Sequence, residues 1–403
     1  MAGPPIDNGW VSVADGRVIA IGRGRPDAHA APGGAGVEDL GEVALLPGLV
    51  NAHTHLELSE LVGRVPPADA MVPWIKSMMG VRGRAPAEPS ETAIAAAREA
   101  AADLLASGTV LVGDISNTLM TAPLLTGSDG LSGVLFHELI GFNAPDPDVR
   151  VSAAWTAVEA TPLDGASMSV VAHAPYSVSP AMFKAIAAAR RGAPLAVHLG
   201  ESRAEIEFLR TGRGPFRELL EGFGVWDPKW RAPKCDPVEY LDRLGYLVPG
   251  TLVVHGTHLG SDALARLREK QAVLVTCPRS NEWVGEGAPP LEAFYASGVD
   301  VAIGTDSLAS VGSLRVFDEL AAARRAGPGI PARRLIESAT IVGARALGRG
   351  GEAGSIEAGK RAAFVAVELP ANVTDVEEYL VGGVPPDRVR PVRADRPSPE
   401  PLT

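Results

Sequence analysis

Near residue 50 the chain reads "LLPGLVNAHTHLELS", an apolar run that ends in two histidines one residue apart, His53 and His55. On a β-strand, residues i and i+2 point to the same face, so this spacing aims two imidazoles at one point in space. An isolated His-x-His is as readily a surface pair at a strand end, and other ligands are needed to make it a metal site. They are present. Six of the eight histidines (His53, His55, His173, His198, His255 and His258) fall at or just beyond the end of a short apolar run; only His29 and His137 do not. One such run continues into "AVHLGES", another into "VVHGTH", and a third, "AIGTDS", ends on Asp306. His53, His55, His198 and Asp306 together offer three neutral imidazoles and one carboxylate. That is a donor set for a divalent metal such as zinc or ferrous iron, with a position left open for water.

Such a set works only if the fold brings the runs together. Eight apolar, β-branched runs, near residue 50 and at 109–115, 133–141, 168–175, 194–201, 251–256, 272–278 and 300–306, alternate with segments of helical composition such as "ETAIAAAREAAADLLASG". Near-continuous apolar runs mark strands buried on both faces. Eight β/α alternations predict an α/β fold, a (β/α)8 TIM barrel over residues 48–347, whose active site lies at the C-terminal ends of the strands. Residues 1–47 and 348–370 read as short strands and turns, with Asp15-Gly16 as a hairpin signal, and are expected to form a small β-sandwich domain from both chain ends. The Pro-rich, charged stretch 371–403 reads as an extended or disordered tail.

Composition excludes several classes. A net charge of −11 leaves no basic stripe for nucleic acid. No apolar stretch is long enough to span a bilayer, and "MAGPPIDNGW" lacks the basic and apolar parts of a signal peptide, so a cytoplasmic protein without membrane partners is expected. The two cysteines, Cys235 and Cys277, are far apart and imply neither a disulfide framework nor a thiolate zinc site. The expected partner is a small-molecule substrate, with a homodimer as one assembly.

Taken in order, "HTH", "HLGES", "VVHGTHL", "CPRSN" and "GTDS" resemble the amidohydrolase superfamily, in its branch of ring deaminases and chlorohydrolases. The likeness runs from about Val43 to Ala363. It implies His53, His55, His198 and Asp306 as metal ligands, Glu201 as the glutamate of the HxxE motif, and His255 as the histidine that polarises water or substrate. The fourth run ends in "VVAHAPYS" without the lysine that bridges two metals in binuclear members, which implies one divalent ion per chain, zinc first and iron as the alternative. His173, at the same run end, is implied as a substrate contact.

The residue chemistry agrees with those roles. A metal-acidified water can attack an electron-poor ring carbon bearing an amino group. Asp306 can accept a proton from that water and, with His255 beside it, Glu201 can protonate the adjacent ring nitrogen, provided a dry pocket keeps its carboxyl protonated. Glu201, His255 and Asp306 are therefore the expected catalytic residues. Further substrate contacts are expected from Trp74, in a loop that could cover the mouth, from Glu138, and from Arg279 and Asn281 in "CPRSN". Several stretches look like the subgroup of aminofutalosine, S-adenosylhomocysteine and methylthioadenosine deaminases, which implies a 6-aminopurine nucleoside, with aminofutalosine preferred. Its benzoate calls for a cation, and Arg279 is the mouth arginine expected to meet it. The alternatives are deamination or dechlorination of another heterocycle (guanine, cytosine, a triazine), cyclic amide hydrolysis, or a silent barrel acting as a binding protein.

Overall fold

The computed structural model describes residues 3–26, 36–83, 89–125, 127, 130–163 and 166–393. Thirteen strands run through these residues: β1 (Gly9–Ala14), β2 (Arg17–Arg23), β3 (Val43–Pro47), β4 (Leu49–Thr54), β5 (Thr109–Ser116), β6 (Ser132–Leu139), β7 (Ala166–Ala172), β8 (Ala196–Leu199), β9 (Leu252–His255), β10 (Val273–Thr276), β11 (Asp300–Ile303), β12 (Ala363–Glu368) and β13 (Val389–Arg393). The eight apolar runs are the eight strands β4 to β11. They pair in parallel and in chain order, as β4-β5-β6-β7 and β8-β9-β10-β11. Every residue of β4 and β5 is buried, as a strand sealed on both faces requires.

The two arcs close into a barrel at two seams. On one, the His198 N–H donates to the His173 carbonyl at 2.9 Å. On the other, the N–H groups of Thr305 and Asp306 donate to the His53 carbonyl at 3.0 and 3.1 Å, and Thr54 bridges Asp306 in parallel. Gly304 makes the second seam possible, because a Cβ there would lie 2.8–3.0 Å from His53 atoms. Closure and ligand placement are thus one event: the seam residues are themselves site residues. Outer helices form where the composition predicts them. Helix Glu91–Ala106 starts at Ser90, whose side chain accepts from the Ala93 N–H, and buries Ala93, Ala97, Ala100, Ala101 and Leu104 as one stripe.

Beside the barrel, β1 and β2 form an antiparallel hairpin, and β13-β12-β3 form a three-stranded antiparallel sheet. Asp15 and Gly16 both take positive φ (51° and 68°), the conformation a two-residue hairpin turn demands. Val18, Ala362 and Phe364 are buried between the hairpin and the sheet, with Val11, Val13, Leu45 and Val392 packed around them. The small domain is a sandwich drawn from both chain ends.

The stretch after residue 370 is corrected by the structure. Residues 371–393 are not a tail: they contain a helix, Val376–Val381, and strand β13, which pairs with β12 along its full length. Pro391 is tolerated because β13 is the edge of its sheet. Proline and arginine content suggested an unfolded segment, whereas Val389 and Val392 supply enough apolar surface to dock it. Residues 394–403, the rest of the expected tail, lie outside the described residues. Among the described residues, no helix is long and apolar enough to cross a membrane.

Candidate metal centre and active site

His53 lies on β4, His55 just past its end, His198 on β8, His255 at the end of β9 and Asp306 beyond β11. The Nε2 of His53 is 3.2 Å from that of His55 and 3.3 Å from that of His198. Asp306 Oδ1 stands 3.4 Å from His55 Nε2 and 3.8 Å from His53 Nε2. His198 donates from Nδ1 to the His173 carbonyl at 3.1 Å, so its Nε2 presents a lone pair to the cluster. The rings of His53, His198 and His255 are buried, and that of His55 is largely so. Burial holds His55 well below the usual imidazole value and His198 down to about 3, so both are neutral. Neutral nitrogens 3.2–3.3 Å apart fit one small cation, since nitrogens that each lie ~2.0–2.1 Å from a shared zinc ion come about this close to one another.

The second oxygen of Asp306 is already held. Ser280 Oγ donates to Oδ2 at 2.6 Å, and Ser310 Oγ lies 3.3 Å from the same atom. Burial by itself would raise this carboxyl, but the hydrogen bond from His53 and the nearby imidazoles outweigh burial and keep it well below the ordinary carboxylate range. Asp306 and His255 both sit at positive φ (61° and 73°), an uncommon conformation for residues with side chains and one that recurs at functional sites.

Glu201 and His255 form the other half of the site. Their side chains approach to 3.5 Å, Glu201 Oε1 to His255 Nε2. Burial, then the charges of Asp306, Glu205 and Glu286, push the Glu201 carboxyl well above its ordinary value. The shift favours the protonated form of the acid, the form that can donate. His255 Nδ1 lies 3.2 Å from the Asn281 amide nitrogen; donation from that amide leaves the imidazole proton on Nε2, facing Glu201. The His255 ring also groups with His53 and His198 within ligand range, so it borders the metal position directly.

The structure divides the expected substrate contacts. His173 is at the mouth, its ring 4.8 Å from that of His198, with Nδ1 2.6 Å from Ser177 Oγ and its pKa lowered by burial to about 4. Glu138 is also there, with Oε1 3.5 Å from His198 Nδ1 and Oε2 accepting from Asn117 Nδ2 at 3.1 Å.

Arg279 is not a free mouth cation. Its Nε donates to Glu319 Oε1 at 2.7 Å, Nη1 to Ser313 Oγ at 3.1 Å and Nη2 to the Ser313 carbonyl at 2.6 Å, so its fork is spent inside the protein. Asn281 is fully buried and engages His255 instead of presenting to substrate. Trp74 is 8% exposed and packs with Leu61, Val65, Val284 and Ala309, which makes it a core residue of a small apolar cluster rather than an open stacking face.

Some working residues escaped sequence reasoning. Ser280 lies inside "CPRSN", and Ser310 follows Asp306 by four residues, but neither spacing says which oxygen they hold. Glu205 did leave a signal, the capping pattern Ser202-x-x-Glu205. Ser202 accepts from the Glu205 N–H, and the Glu205 carboxylate accepts from the N–H groups of Gly200 (3.0 Å) and Glu201 (3.2 Å), fixing the turn that carries the acid.

A closed barrel with three imidazoles and one carboxylate converging at its C-terminal mouth defines a metal-dependent barrel enzyme. Residues 44–392 match the amidohydrolase family, and the chain belongs to that family. It is 32% identical over 358 residues to the aminodeoxyfutalosine deaminase of Deinococcus radiodurans, covering 83% of this chain and 81% of that one. In structure it resembles the Helicobacter pylori aminofutalosine deaminase solved with methylthio-coformycin (TM-score 0.80, 26% identity, 93% of this chain and 91% of that chain). It also resembles a zinc-bound adenosine deaminase from Xanthomonas campestris (TM-score 0.73, 26% identity, 95% and 86%).

Proposed function

We propose that the protein hydrolytically deaminates a 6-aminopurine nucleoside, with aminofutalosine the preferred substrate, releasing ammonia. The observation that carries this reading is the buried Glu201 carboxyl set 3.5 Å from His255 beside the imidazole cluster, with burial pushing its pKa up, an acid poised at the ligand set of a ring deaminase. The names of the relatives from D. radiodurans and H. pylori support the choice of substrate.

His53, His55, His198 and Asp306 would hold a single divalent ion in this reading, and zinc is favoured by the imidazole-rich donor set and by the zinc-bound relative. When bound, the ion supplies a water acidified toward neutrality as the nucleophile. Asp306 Oδ1, with Oδ2 anchored by Ser280, takes a proton from the attacking water. Glu201 gives its proton to the ring nitrogen next to the carbon under attack, so charge does not accumulate there. His255 Nε2 donates a hydrogen bond to the oxygen being added. Collapse of the tetrahedral carbon breaks the C–N bond, and the departing amine leaves as ammonia after taking up a proton first removed from water. His173 and Glu138 border the space the purine enters.

The test is a panel of adenosine, S-adenosylhomocysteine, methylthioadenosine and aminofutalosine, read by the ultraviolet change on deamination, with elemental analysis of the same preparation. Expected are about one ion per chain, turnover of aminofutalosine above the others, and loss of turnover on chelation with recovery on adding zinc. Turnover of guanine, cytosine or a chlorotriazine with every 6-aminopurine inert would sink the purine assignment. Two tightly held ions per chain would sink the mononuclear one.

A further inference from the structure

One carboxylate outside the reacting groups joins three of the loops that build the mouth. Glu286 follows the short helix Pro278–Trp283 beyond β10, and its side chain is only 8% exposed. Its Oε1 accepts from the Met71 N–H at 3.2 Å. Its Oε2 accepts from the Arg203 N–H at 3.4 Å and lies 2.9 Å from His258 Nε2. Met71 begins helix Met71–Arg82, which carries Trp74; Arg203 begins helix Arg203–Thr211, two residues after Glu201; His258 lies three residues beyond His255.

These contacts replace something the local sequence lacks. The residue before Met71 is Ala70, which offers no side-chain cap, so the first N–H of that helix is served from 215 residues away. A carboxylate at two helix N-termini is also favoured by both dipoles. The backbone beside it is matched to the task. Gly285 has φ +85°, and a Cβ there would stand 2.3–2.5 Å from backbone atoms of Ala68, Asp69 and Ala70. Trp283 adds two bonds to the same segment: its indole N–H donates to the Val65 carbonyl at 3.2 Å, and its carbonyl accepts from the Ala68 N–H at 3.1 Å. The segment 283–286 is therefore built against the start of helix Met71–Arg82, and Glu286 extends that contact to the loop of the acid.

We propose that Glu286 is a positioning residue for the deamination: it clasps the helix Met71–Arg82 to the Glu201 loop, so that seating that helix and placing the acid are one coupled event. The inference rests on the reading of Glu201 as the proton donor. His258 completes the clasp by holding Oε2 from the β9 side. Glu286 touches no reacting atom and acts through the backbone at Arg203.

The test uses the full-length, metal-replete protein with Glu286→Ala and Glu286→Gln. Kinetics are resolved into kcat and KM, and hydrogen exchange is followed in peptides spanning 68–76 and 200–206. Glu286→Ala is expected to lower kcat by about 10²-fold, the scale set by ångström-level misplacement of a catalytic group, with metal content unchanged and both peptides exchanging faster together. Glu286→Gln has one amide oxygen for two helix N–H groups, so it cannot hold both loops and is expected to lower kcat and speed exchange in both peptides as well, to a smaller degree. Faster exchange in only one of the two peptides, or faster exchange in both with kcat intact, overturns the proposal. Should Glu286→Ala fail to fold, Glu286→Gln carries the test: wild-type kcat with wild-type exchange in both peptides, or faster exchange in only one of them, overturns the proposal. If the wild type deaminates no purine at all, the proposed function fails, while the exchange of the two peptides still reports on the clasp.

Discussion

Replacing Arg279 by Met separates a structural arginine from a substrate anchor, because the two roles predict opposite results. In the structure the guanidinium makes three hydrogen bonds, to Glu319 and Ser313, and lies 3.6 Å from Asp318. Glu319 has no solvent exposure, and burial pushes its carboxyl up to about 7 even against the lowering by Arg279, so removing that partner leaves a core carboxyl that must take up a proton or stand as an unpaired charge. Breaking a buried pair costs ~3–5 kcal/mol. Because Arg279 itself retains 19% exposure, the lower end, about 3 kcal/mol, is appropriate. With an unfolding entropy of ~2.1 cal/mol/K per residue, or ~0.8 kcal/mol/K for this chain, the expected fall in Tm is about 4 °C. Thermal unfolding followed by circular dichroism measures it, and steady-state kinetics on the same preparation should show KM for a carboxylate-bearing nucleoside unchanged within about twofold. The double variant Arg279→Met/Glu319→Gln should regain much of the lost stability, since it no longer buries an unpaired charge. An unchanged Tm together with a tenfold or larger rise in KM would refute the reasoning and return Arg279 to the substrate.

Glu201→Gln should retain the metal and bind substrate, yet lose ~10²- to 10⁴-fold in kcat, as expected for a general acid–base group; near-normal turnover removes Glu201 from the mechanism. Glu205, pushed by burial from 4.5 up to about 8, binds its proton more tightly in the folded protein than in the unfolded chain. Between those two values the folded state holds a proton that the unfolded state has released, so this group's contribution to stability declines as pH rises from about 4.5 to about 8, by at most ~1.4 kcal/mol per pH unit, and is level outside that window. Urea titrations at pH 5.5 and 7.5 should therefore show a smaller pH-dependent loss in Glu205→Gln than in the wild type; equal losses would mean Glu205 is ionised in the folded state.

What the sequence by itself determined is the part of the molecule governed by local periodicity. Eight apolar runs are long enough and branched enough to be strands, and their spacing leaves room for one helix between each pair, so barrel and strand order follow from composition and length. Because side chains alternate along a strand, His53 and His55 had to share a face; because parallel strands present all their C-terminal ends to one side, His198, His255 and Asp306 had to join them. The Ser202-x-x-Glu205 cap was legible for the same reason, since its partners are within one helical turn.

What only the tertiary structure decided is the choice of partner across the mouth. Arg279 reads as an available cation until Glu319, 40 residues on, proves to face it. Asn281 reads as a substrate contact until the end of β9 brings His255 against it. Strand β13 reads as a tail until β12 offers it an edge, and Glu286 reads as a surface acid until the Met71 and Arg203 N–H groups converge on it from two other loops. The Glu286–Met71 contact spans the seam at which the barrel closes, and the others join neighbouring elements whose approach local periodicity does not set. A side chain's type and its position along its own strand say what it can bind, and closure says what is within reach.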